Sequence, residues 1–234
     1  MKNNQDRTIG IIGGVGPQAT RFIYEKIIEF SQNKYGAKNN DDYPRIIIFS
    51  VPIPDFIADT KKLNLAKKML IEAVKSLTQV GATKLCIASN TVHILLDSLA
   101  EETAVEFFSV IKLVARKCQN LGFKKVGILG SPVLLNSGLY QQELEKYHIQ
   151  VILLDNKQIK MVEEIIRNVL AGKKDGEKKK EYIDILNDFF KRGAEGIILG
   201  CTELPMAVNY EALGNRTINS DEVLAEELTD YYYN

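Results

Sequence analysis

The stretch that decides the fold is an apolar run that leads to a cysteine, and it reads Gly193-Ala194-Glu195-Gly196-Ile197-Ile198-Leu199-Gly200-Cys201-Thr202-Glu203-Leu204-Pro205. A gap-free counterpart with Ser89 in the place of Cys201 reads Gly81-Ala82-Thr83-Lys84-Leu85-Cys86-Ile87-Ala88-Ser89-Asn90-Thr91-Val92-His93. Residues 8–14 resemble residues 125–131 in the same way. Because the two pairs have nearly the same separation along the chain, we interpret them as halves of one duplicated α/β unit. Two matching strand ends predict one site that faces both halves.

Length and composition limit the class of protein. The 234 residues include 30 basic and 30 acidic side chains, so net charge gives no reason to expect a nucleic acid or a membrane as partner. A small molecule or another protein is the expected partner. Three cysteines without a secretory signal indicate a reducing compartment, and no apolar run reaches the ~20 residues that span a bilayer. We therefore expect a soluble, cytoplasmic protein.

Short apolar runs alternate with longer amphipathic stretches, which is typical of parallel sheets covered by helices. The nearly continuous apolar content predicts strands buried on both faces, at residues 8–13, 45–51, 84–88, 106–110, 125–130, 149–154 and 196–200. Helices are predicted at residues 17–33, 62–80, 92–102, 112–121, 136–147, 157–171, 177–192 and 221–232. The predicted fold class is α/β, with two pseudo-symmetric parallel-sheet domains and the active site in the cleft between them. The first domain is predicted at residues 1–110 plus 212–234, and the second at residues 111–211.

A glycine-rich loop follows the first predicted strand and opens a helix, at residues 13–20. Glycines let a backbone approach a ligand closely, and free amides at a helix start favour an anion. We expect a carboxylate-sized anion at the amides of Gly14 and Val15. The alternatives are a tight turn without a ligand and a dinucleotide site, although Ala19 stands where the dinucleotide fingerprint needs its third glycine.

Cys201 is the best candidate for chemistry. A thiol at a strand end can feel unpaired backbone amides, which stabilise a thiolate, whereas a nearby carboxylate such as Glu203 opposes ionisation. The alternative is that Cys201 is a small core residue, which is the simpler interpretation of Cys86 and Cys118.

The chain has two histidines, and neither points clearly to catalysis. His93 follows Ser89 by four residues, so it is either a base for Ser89 or Cys201 or, more commonly at a helix start, a structural hydrogen-bonding residue. His148 ends a predicted helix, where the helix C-terminus favours it. The spacing of these histidines and of the cysteines assembles no zinc site, so we predict no metal.

Three ordered motifs, at residues 10–20, 89–93 and 199–205, resemble those of the aspartate/glutamate racemase superfamily, closest to its aspartate racemase branch. The resemblance implies two similar α/β domains that hold a small amino acid between two cysteines. One cysteine removes the Cα proton and the other returns a proton from the opposite face, without pyridoxal phosphate, metal or other cofactor. It also implies a homodimer. An acid and a base on opposite sides of one carbon are what stereoinversion requires.

By this resemblance Cys201 is the second catalytic cysteine, and Ser89 stands in the place of the first. Asn90, Thr91 and Thr202 match residues that hold the substrate's α-carboxylate and neighbouring groups. The resemblance therefore assigns both proton-transfer positions and part of the carboxylate site.

Other anchors of the aspartate racemases are missing. Phe56 replaces an arginine, Leu170 replaces a lysine, and Val133 and Leu134 stand where a glycine and a threonine are expected. A charge-assisted contact to a carboxylate contributes ~1.5–3 kcal/mol, so the loss of two disfavours a dicarboxylate such as aspartate. Phe56 and Leu170 suit a neutral or apolar side chain instead.

Three functions remain open on these residues. The first is a cofactor-independent amino-acid racemase or epimerase in which Cys201 is the competent base and Ser89 is a weak partner, since a hydroxyl ionises well above neutral pH. The second is a malonate-type decarboxylase, in which one thiol protonates one face of an enediolate. The third is a catalytically impaired binding protein for small carboxylates.

Overall fold

The chain forms two compact units. The computed structural model describes residues 6–55, 57–173, 179–207, 214 and 216–234, without the side chains of Lys179 and Met206. Among these residues, unit 1 holds residues 6–55, 61–110 and 221–234, and unit 2 holds residues 57–60 and 111–220.

Unit 1 contains a parallel three-stranded sheet with the order β2-β1-β3. Its strands are β1 (Ile9–Gly13), β2 (Ile46–Ser50) and β3 (Lys84–Ile87). Before residue 110 this unit contains the α-helices α1 (Pro17–Tyr35), α2 (Leu63–Gln79) and α3 (Leu96–Ala100). It also contains 3-10 helices at Asn40–Asp42 and Thr91–Leu95. Proline in the first turn suits the start of α1, and Gly36, in the left-handed conformation, ends it.

Unit 2 contains a parallel four-stranded sheet with the order β5-β4-β6-β7. Its strands are β4 (Lys125–Leu129), β5 (Gln150–Ile152), β6 (Gly196–Leu199) and β7 (Thr217–Asn219). The helices between residues 110 and 207 are α4 (Val110–Asn120), α5 (Pro132–Ser137), α6 (Leu139–Glu145), α7 (Asn156–Leu170), α8 (Lys179–Lys191) and α9 (Leu204–Ala207). The last helix, α10 (Ser220–Tyr233), belongs to unit 1 except for its first residue. The α/β class with parallel sheets is therefore confirmed.

The two sheets share one strand order. In each unit the first strand is central, the second pairs on one side of it and the third on the other. Beyond β3, Phe107 forms an isolated parallel bridge with Leu85, at the place that β7 occupies beside β6. The repeated topology agrees with the duplicated motifs at the ends of β3 and β6.

Several predicted elements differ from the structure. The strand predicted at 106–110 is reduced to the Phe107 bridge, whereas β7 and α9 were not predicted. The helix predicted at 92–102 is a 3-10 turn followed by α3. The helix predicted at 136–147 is divided into α5 and α6, because Gly138 adopts the left-handed conformation that ends the first and begins the second.

The prediction that every strand is buried on both faces is wrong for β2. Within the described residues β2 pairs with β1 alone, so it lies at the edge of its sheet. Its residues are half-buried or exposed, and Ile48 and Phe49 are 39% and 37% exposed. Apolar composition identified the strand but did not determine how many layers cover it.

Close packing holds α8 against the sheet of unit 2. Gly127 in β4 has no side chain, and a Cβ built there would lie 2.6 Å from the ring of Phe189 in α8. The apolar face of α8 contributes Tyr182, Ile185 and Phe189 to the core. Since those residues follow the helical period, one side of α8 lies directly on the sheet.

The last helix packs within unit 1 for most of its length. Tyr35 and Tyr233 stack with ring centroids 4.2 Å apart, and the Tyr35 hydroxyl donates a hydrogen bond to Asp230 at 2.8 Å. Ser220, at the start of α10, lies in unit 2. No helix among the described residues is long and apolar enough to cross a membrane.

Candidate active site

Both predicted proton-transfer residues lie just beyond the carboxyl end of a parallel strand. Ser89 is two residues past the end of β3, and Cys201 is two residues past the end of β6. Ligands of parallel α/β sheets bind beyond this edge of the strands. The duplicated sequence therefore places one candidate group at the same topological position in each unit.

In unit 2 the structure brings Cys201, Thr202 and Glu203 together in a buried cluster. The Cys201 thiol donates a hydrogen bond to Oε2 of Glu203 at 3.0 Å, and the Thr202 hydroxyl donates to the same oxygen at 2.8 Å. Cys201 is 8% exposed and Glu203 is 4% exposed. A buried carboxylate needs such donors, because burial of an uncompensated charge is costly.

The backbone around Cys201 is held from three directions. The Gly200 amide donates to the Leu129 carbonyl at 2.8 Å, and the Leu204 amide donates to the Cys201 carbonyl at 3.1 Å. The Ser220 hydroxyl donates to the Leu199 carbonyl at 2.8 Å. The sulfur atom is therefore carried by a chain segment whose two ends are fixed by hydrogen bonds.

This geometry gives Glu203 a role that was not predicted. From the sequence, Glu203 was expected only to oppose ionisation of the thiol by its charge. In the structure its carboxyl group accepts a hydrogen bond from the Cys201 thiol. The spacing of two residues was visible in the sequence, but the direction of the Glu203 side chain after a strand end was not.

Cys86 and Cys118 are core residues, as expected. Both are fully buried, Cys86 in β3 and Cys118 in α4. Burial raises the pKa of the Cys118 thiol to about 12 and raises the pKa of the Cys86 thiol further. Neither thiol therefore forms thiolate near neutral pH.

His93 is engaged at both ring nitrogens. Its Nε2 accepts a hydrogen bond from the Val110 amide at 3.1 Å, so Nδ1 carries the proton and donates to the Ser89 carbonyl at 2.8 Å. Burial lowers the pKa of His93 to about 4, and the bond to the Ser89 carbonyl opposes this only in part. His93 has no free nitrogen to act as a base, and it fixes the backbone of Ser89 instead.

The glycine loop lies at the same sheet edge as Ser89. β1 and β3 are neighbours, and the Ala88 amide donates to the Ile12 carbonyl at 2.9 Å. Gly14 has a φ of +79°, and a Cβ there would lie 2.6 Å from the Val51 nitrogen, so the position requires glycine. The Gly14 amide donates to the Thr20 hydroxyl at 3.0 Å. The Gly14 amide is therefore directed to Thr20 in this structure, and Val15 is half-buried.

The remaining predicted residues take different positions. Asn90 is buried, and its carbonyl accepts a hydrogen bond from the His93 amide at 3.1 Å. Thr91 is half-buried and begins the 3-10 helix after Ser89. Leu170 is the half-buried last residue of α7, and Phe56 lies outside the described residues.

Across the described part of the chain, no group of three or more histidine, cysteine or acidic side chains is arranged to hold a metal ion.

Comparisons with known proteins identify the family. The sequence profile of the Asp/Glu/hydantoin racemase family matches residues 12–228. The broad-specificity amino-acid racemase RacX of Bacillus subtilis is 25% identical over 227 residues, which cover 96% of this chain and 97% of RacX.

Two solved structures have the same fold. An aspartate racemase homologue from Pyrococcus horikoshii is 30% identical with a TM-score of 0.81, over 97% of this chain and 100% of the homologue. The Picrophilus torridus aspartate racemase is 27% identical with a TM-score of 0.79, over 97% of this chain and 94% of that enzyme. With the family profile extending over nearly all of its length, this chain belongs to the Asp/Glu/hydantoin racemase family.

Proposed function

We propose that this protein is a cofactor-independent amino-acid racemase or epimerase, with Cys201 as its main proton-transfer group. The observation that carries the proposal is the buried thiol of Cys201 at the end of β6, hydrogen-bonded to a carboxylate. Membership of the racemase family supports the reaction class. The relatives' names describe amino-acid substrates, in agreement with a small-molecule partner.

The thiol and the carboxylate can exchange a proton directly. When Glu203 takes the proton from Cys201, the electron pair of the S–H bond stays on sulfur, and the thiolate can then remove a Cα proton. In the opposite direction, the protonated thiol delivers its proton to the carbanion. Proton transfer of this kind by a positioned side chain contributes ~10²–10⁴ in rate.

Ser89 is the weaker group of the pair in this proposal. A hydroxyl needs an adjacent base to accept protons near neutral pH, and both nitrogens of His93 are already hydrogen-bonded. We assign Ser89 the role of a weak or water-assisted acid and base. Asn90, Thr91 and Thr202, with the backbone at Gly14 and Val15, are proposed to hold the α-carboxylate and its neighbours.

The proposed substrates are amino acids with neutral or apolar side chains rather than free aspartate. Phe56 and Leu170 replace the two cations expected in aspartate racemases, and each lost charge-assisted contact is worth ~1.5–3 kcal/mol. RacX, which aligns over nearly the whole chain, is described as a racemase of broad specificity.

Family resemblance also implies a homodimer, which static light scattering of the purified protein would test.

Proton–deuterium exchange at Cα tests the proposal directly. The protein is incubated in D₂O with separate L- and D-amino acids, and deuterium incorporation and inversion are followed by NMR and chiral chromatography. We expect exchange with neutral amino acids to exceed exchange with aspartate by about tenfold or more, because Phe56 and Leu170 stand where the resemblance expects the cations that bind a second carboxylate. Exchange confined to aspartate and glutamate would contradict the proposed specificity, and no exchange at all would contradict the activity.

A malonate-type decarboxylase is the second candidate. It is favoured by one observation, namely that Cys201 is the thiol at a strand end while Ser89 occupies the matching position. Such an enzyme needs a proton donor on one face only. Release of CO₂ from a substituted malonate, together with no exchange on any amino acid, would establish this candidate in place of the racemase. Binding of small carboxylates without exchange or CO₂ release would instead indicate a catalytically impaired binding protein.

Restoring a thiol at the first position should raise inversion. We expect Ser89→Cys to increase racemisation about tenfold or more, since a thiol ionises far closer to neutral pH than a hydroxyl. The measurement is the inversion rate of each enantiomer of the best neutral substrate. Ser98→Cys, on α3, is the matched control for an added thiol in the same unit and should leave the rate unchanged. An unchanged rate in folded Ser89→Cys would argue against Ser89 as the first proton-transfer position.

A further inference from the structure

Tyr182 lies on the side of α8 that faces the sheet of unit 2. Its side chain is 1% exposed, and its helical neighbours Ile185, Leu186 and Phe189 are also buried. Phe189 packs against Gly127 of β4, which fixes the helix face that carries Tyr182. Tyr182 is thus held within the core of unit 2 by well-packed residues.

The topology brings Tyr182 to the level of Cys201. α8 ends at Lys191 and β6 begins at Gly196, so the short connection makes the helix and the strand antiparallel. From Lys191 back to Tyr182 the helix rises ~14 Å, and from Gly196 to Cys201 an extended chain advances ~16 Å. The start of α8 therefore lies beside the carboxyl end of β6, where Cys201 is located.

The Tyr182 hydroxyl is an unused hydrogen-bond donor. It is buried and has no hydrogen-bond partner among the described residues. A buried hydroxyl without a partner destabilises a fold, and a phenylalanine would fill the same space without that cost. Such an exception calls for an explanation.

We propose that Tyr182 is a positioning residue for Cys201, whose hydroxyl donates a hydrogen bond to the sulfur after the thiol has given up its proton. The inference rests on the proposed function, because it concerns the same thiol in its charged state. When Cys201 delivers its proton to a carbanion, the S–H bond breaks, its electron pair stays on sulfur, and the new C–H bond uses the carbanion's pair. The resulting thiolate faces the Glu203 carboxylate, so repulsion favours movement of the sulfur away from Glu203.

The electrostatics of Tyr182 agree with the role of a donor. Burial raises the pKa of the Tyr182 hydroxyl far above its ordinary value, and negative charge on Cys201 raises it further. The hydroxyl therefore keeps its proton well above neutral pH. Two acidic side chains adjoin these residues: Glu203 accepts a hydrogen bond from the thiol, and Glu181 precedes Tyr182 in the chain, with a buried Oε2 that has no partner among the described residues. Both are carboxylates, so neither can donate a hydrogen bond to a thiolate when it is ionised.

The test measures the ionisation of Cys201 in Tyr182→Phe without requiring turnover. The purified full-length chain is alkylated with iodoacetamide between pH 6 and 10, and the modification of Cys201 is quantified by mass spectrometry. Since a hydrogen bond to a charged group is worth tenfold or more, we expect the alkylation rate of Cys201 at pH 7 to fall about tenfold, with its pH profile shifted upward. Cys86 and Cys118 are fully buried internal references.

A structural role predicts a different result. If Tyr182 is only a core residue, Tyr182→Phe leaves the alkylation profile of Cys201 unchanged, and that result would overturn the inference. The thermal midpoint of Tyr182→Phe should stay equal or rise by ~2–4 °C, since an unpaired hydroxyl is removed, whereas a clear fall would reveal a structural partner and also count against the inference. Tyr232→Phe, a buried tyrosine of unit 1, is the matched control and should not change the alkylation profile.

The result separates the inference from the proposed function. A shifted alkylation profile in a protein that exchanges no amino acid would support the Tyr182 hydrogen bond and contradict the racemase. Exchange of amino acids with an unshifted alkylation profile would support the racemase and contradict the Tyr182 hydrogen bond.

Discussion

Cys201→Ala is expected to lower Cα exchange of amino acids by ~10²–10⁴, the contribution of a positioned acid or base. The thiol is the strand-end group with both a transferable proton and a carboxylate partner, as the bond from Cys201 to Glu203 shows. Loss of the sulfur removes the group and leaves Ser89 without a competent partner. The measurement is deuterium incorporation from each enantiomer under identical conditions.

Ser89→Ala should give a different pattern from Cys201→Ala. We expect Ser89→Ala to preserve exchange from one enantiomer, because Cys201 still removes and returns a proton on its own face, while inversion falls. Cys118→Ala is the matched control, since Cys118 is a fully buried thiol of unit 2 and lies on α4 rather than at a strand end. Exchange at the wild-type rate in folded Cys201→Ala would refute the proposed role of the thiol.

Acidification should destabilise the protein through His93 well before most carboxylates are protonated. The pKa of His93 is about 4 in the folded protein, below its ordinary value of 6.5. Between these values the unfolded chain binds a proton that the folded chain does not, so the free energy of unfolding falls as the pH drops below about 6.5. The loss reaches about 2 kcal/mol at pH 5 and about 3 kcal/mol below pH 4, where both forms are protonated.

Urea denaturation of wild type and His93→Asn at pH 7 and pH 5 isolates this contribution. Asparagine cannot titrate and can still donate to the Ser89 carbonyl, the partner of Nδ1. We expect the wild type to lose about 2 kcal/mol more than His93→Asn between the two pH values. Equal losses of unfolding free energy in the two proteins would contradict this prediction, because they would mean that His93 binds a proton in the folded protein as readily as in the unfolded chain. His148→Asn is the control, since it changes the second histidine of the chain.

Patterns that repeat along the chain were readable without a structure. Parallel α/β sheets followed from apolar runs alternating with amphipathic stretches, and the family followed from three motifs in order. The matching positions of Ser89 and Cys201 also came from the repeat, because a gap-free alignment of two strand–turn segments preserves the residue that follows each strand. These features depend on neighbours in the sequence, which periodicity and spacing report directly.

Features that depend on contacts between distant segments were decided only by the tertiary structure. β7 is three residues long and carries little periodic signal, and its strand character comes from pairing with β6. The structural role of His93 depends on a distant contact, because the Val110 amide, 17 residues away in the sequence, donates a hydrogen bond to the second ring nitrogen. Likewise, the hydroxyl of Tyr182 is buried at the level of Cys201 because α8 folds back on the sheet. Local sequence specifies which residues form strands and helices, whereas burial and side-chain partners arise only when those elements pack together.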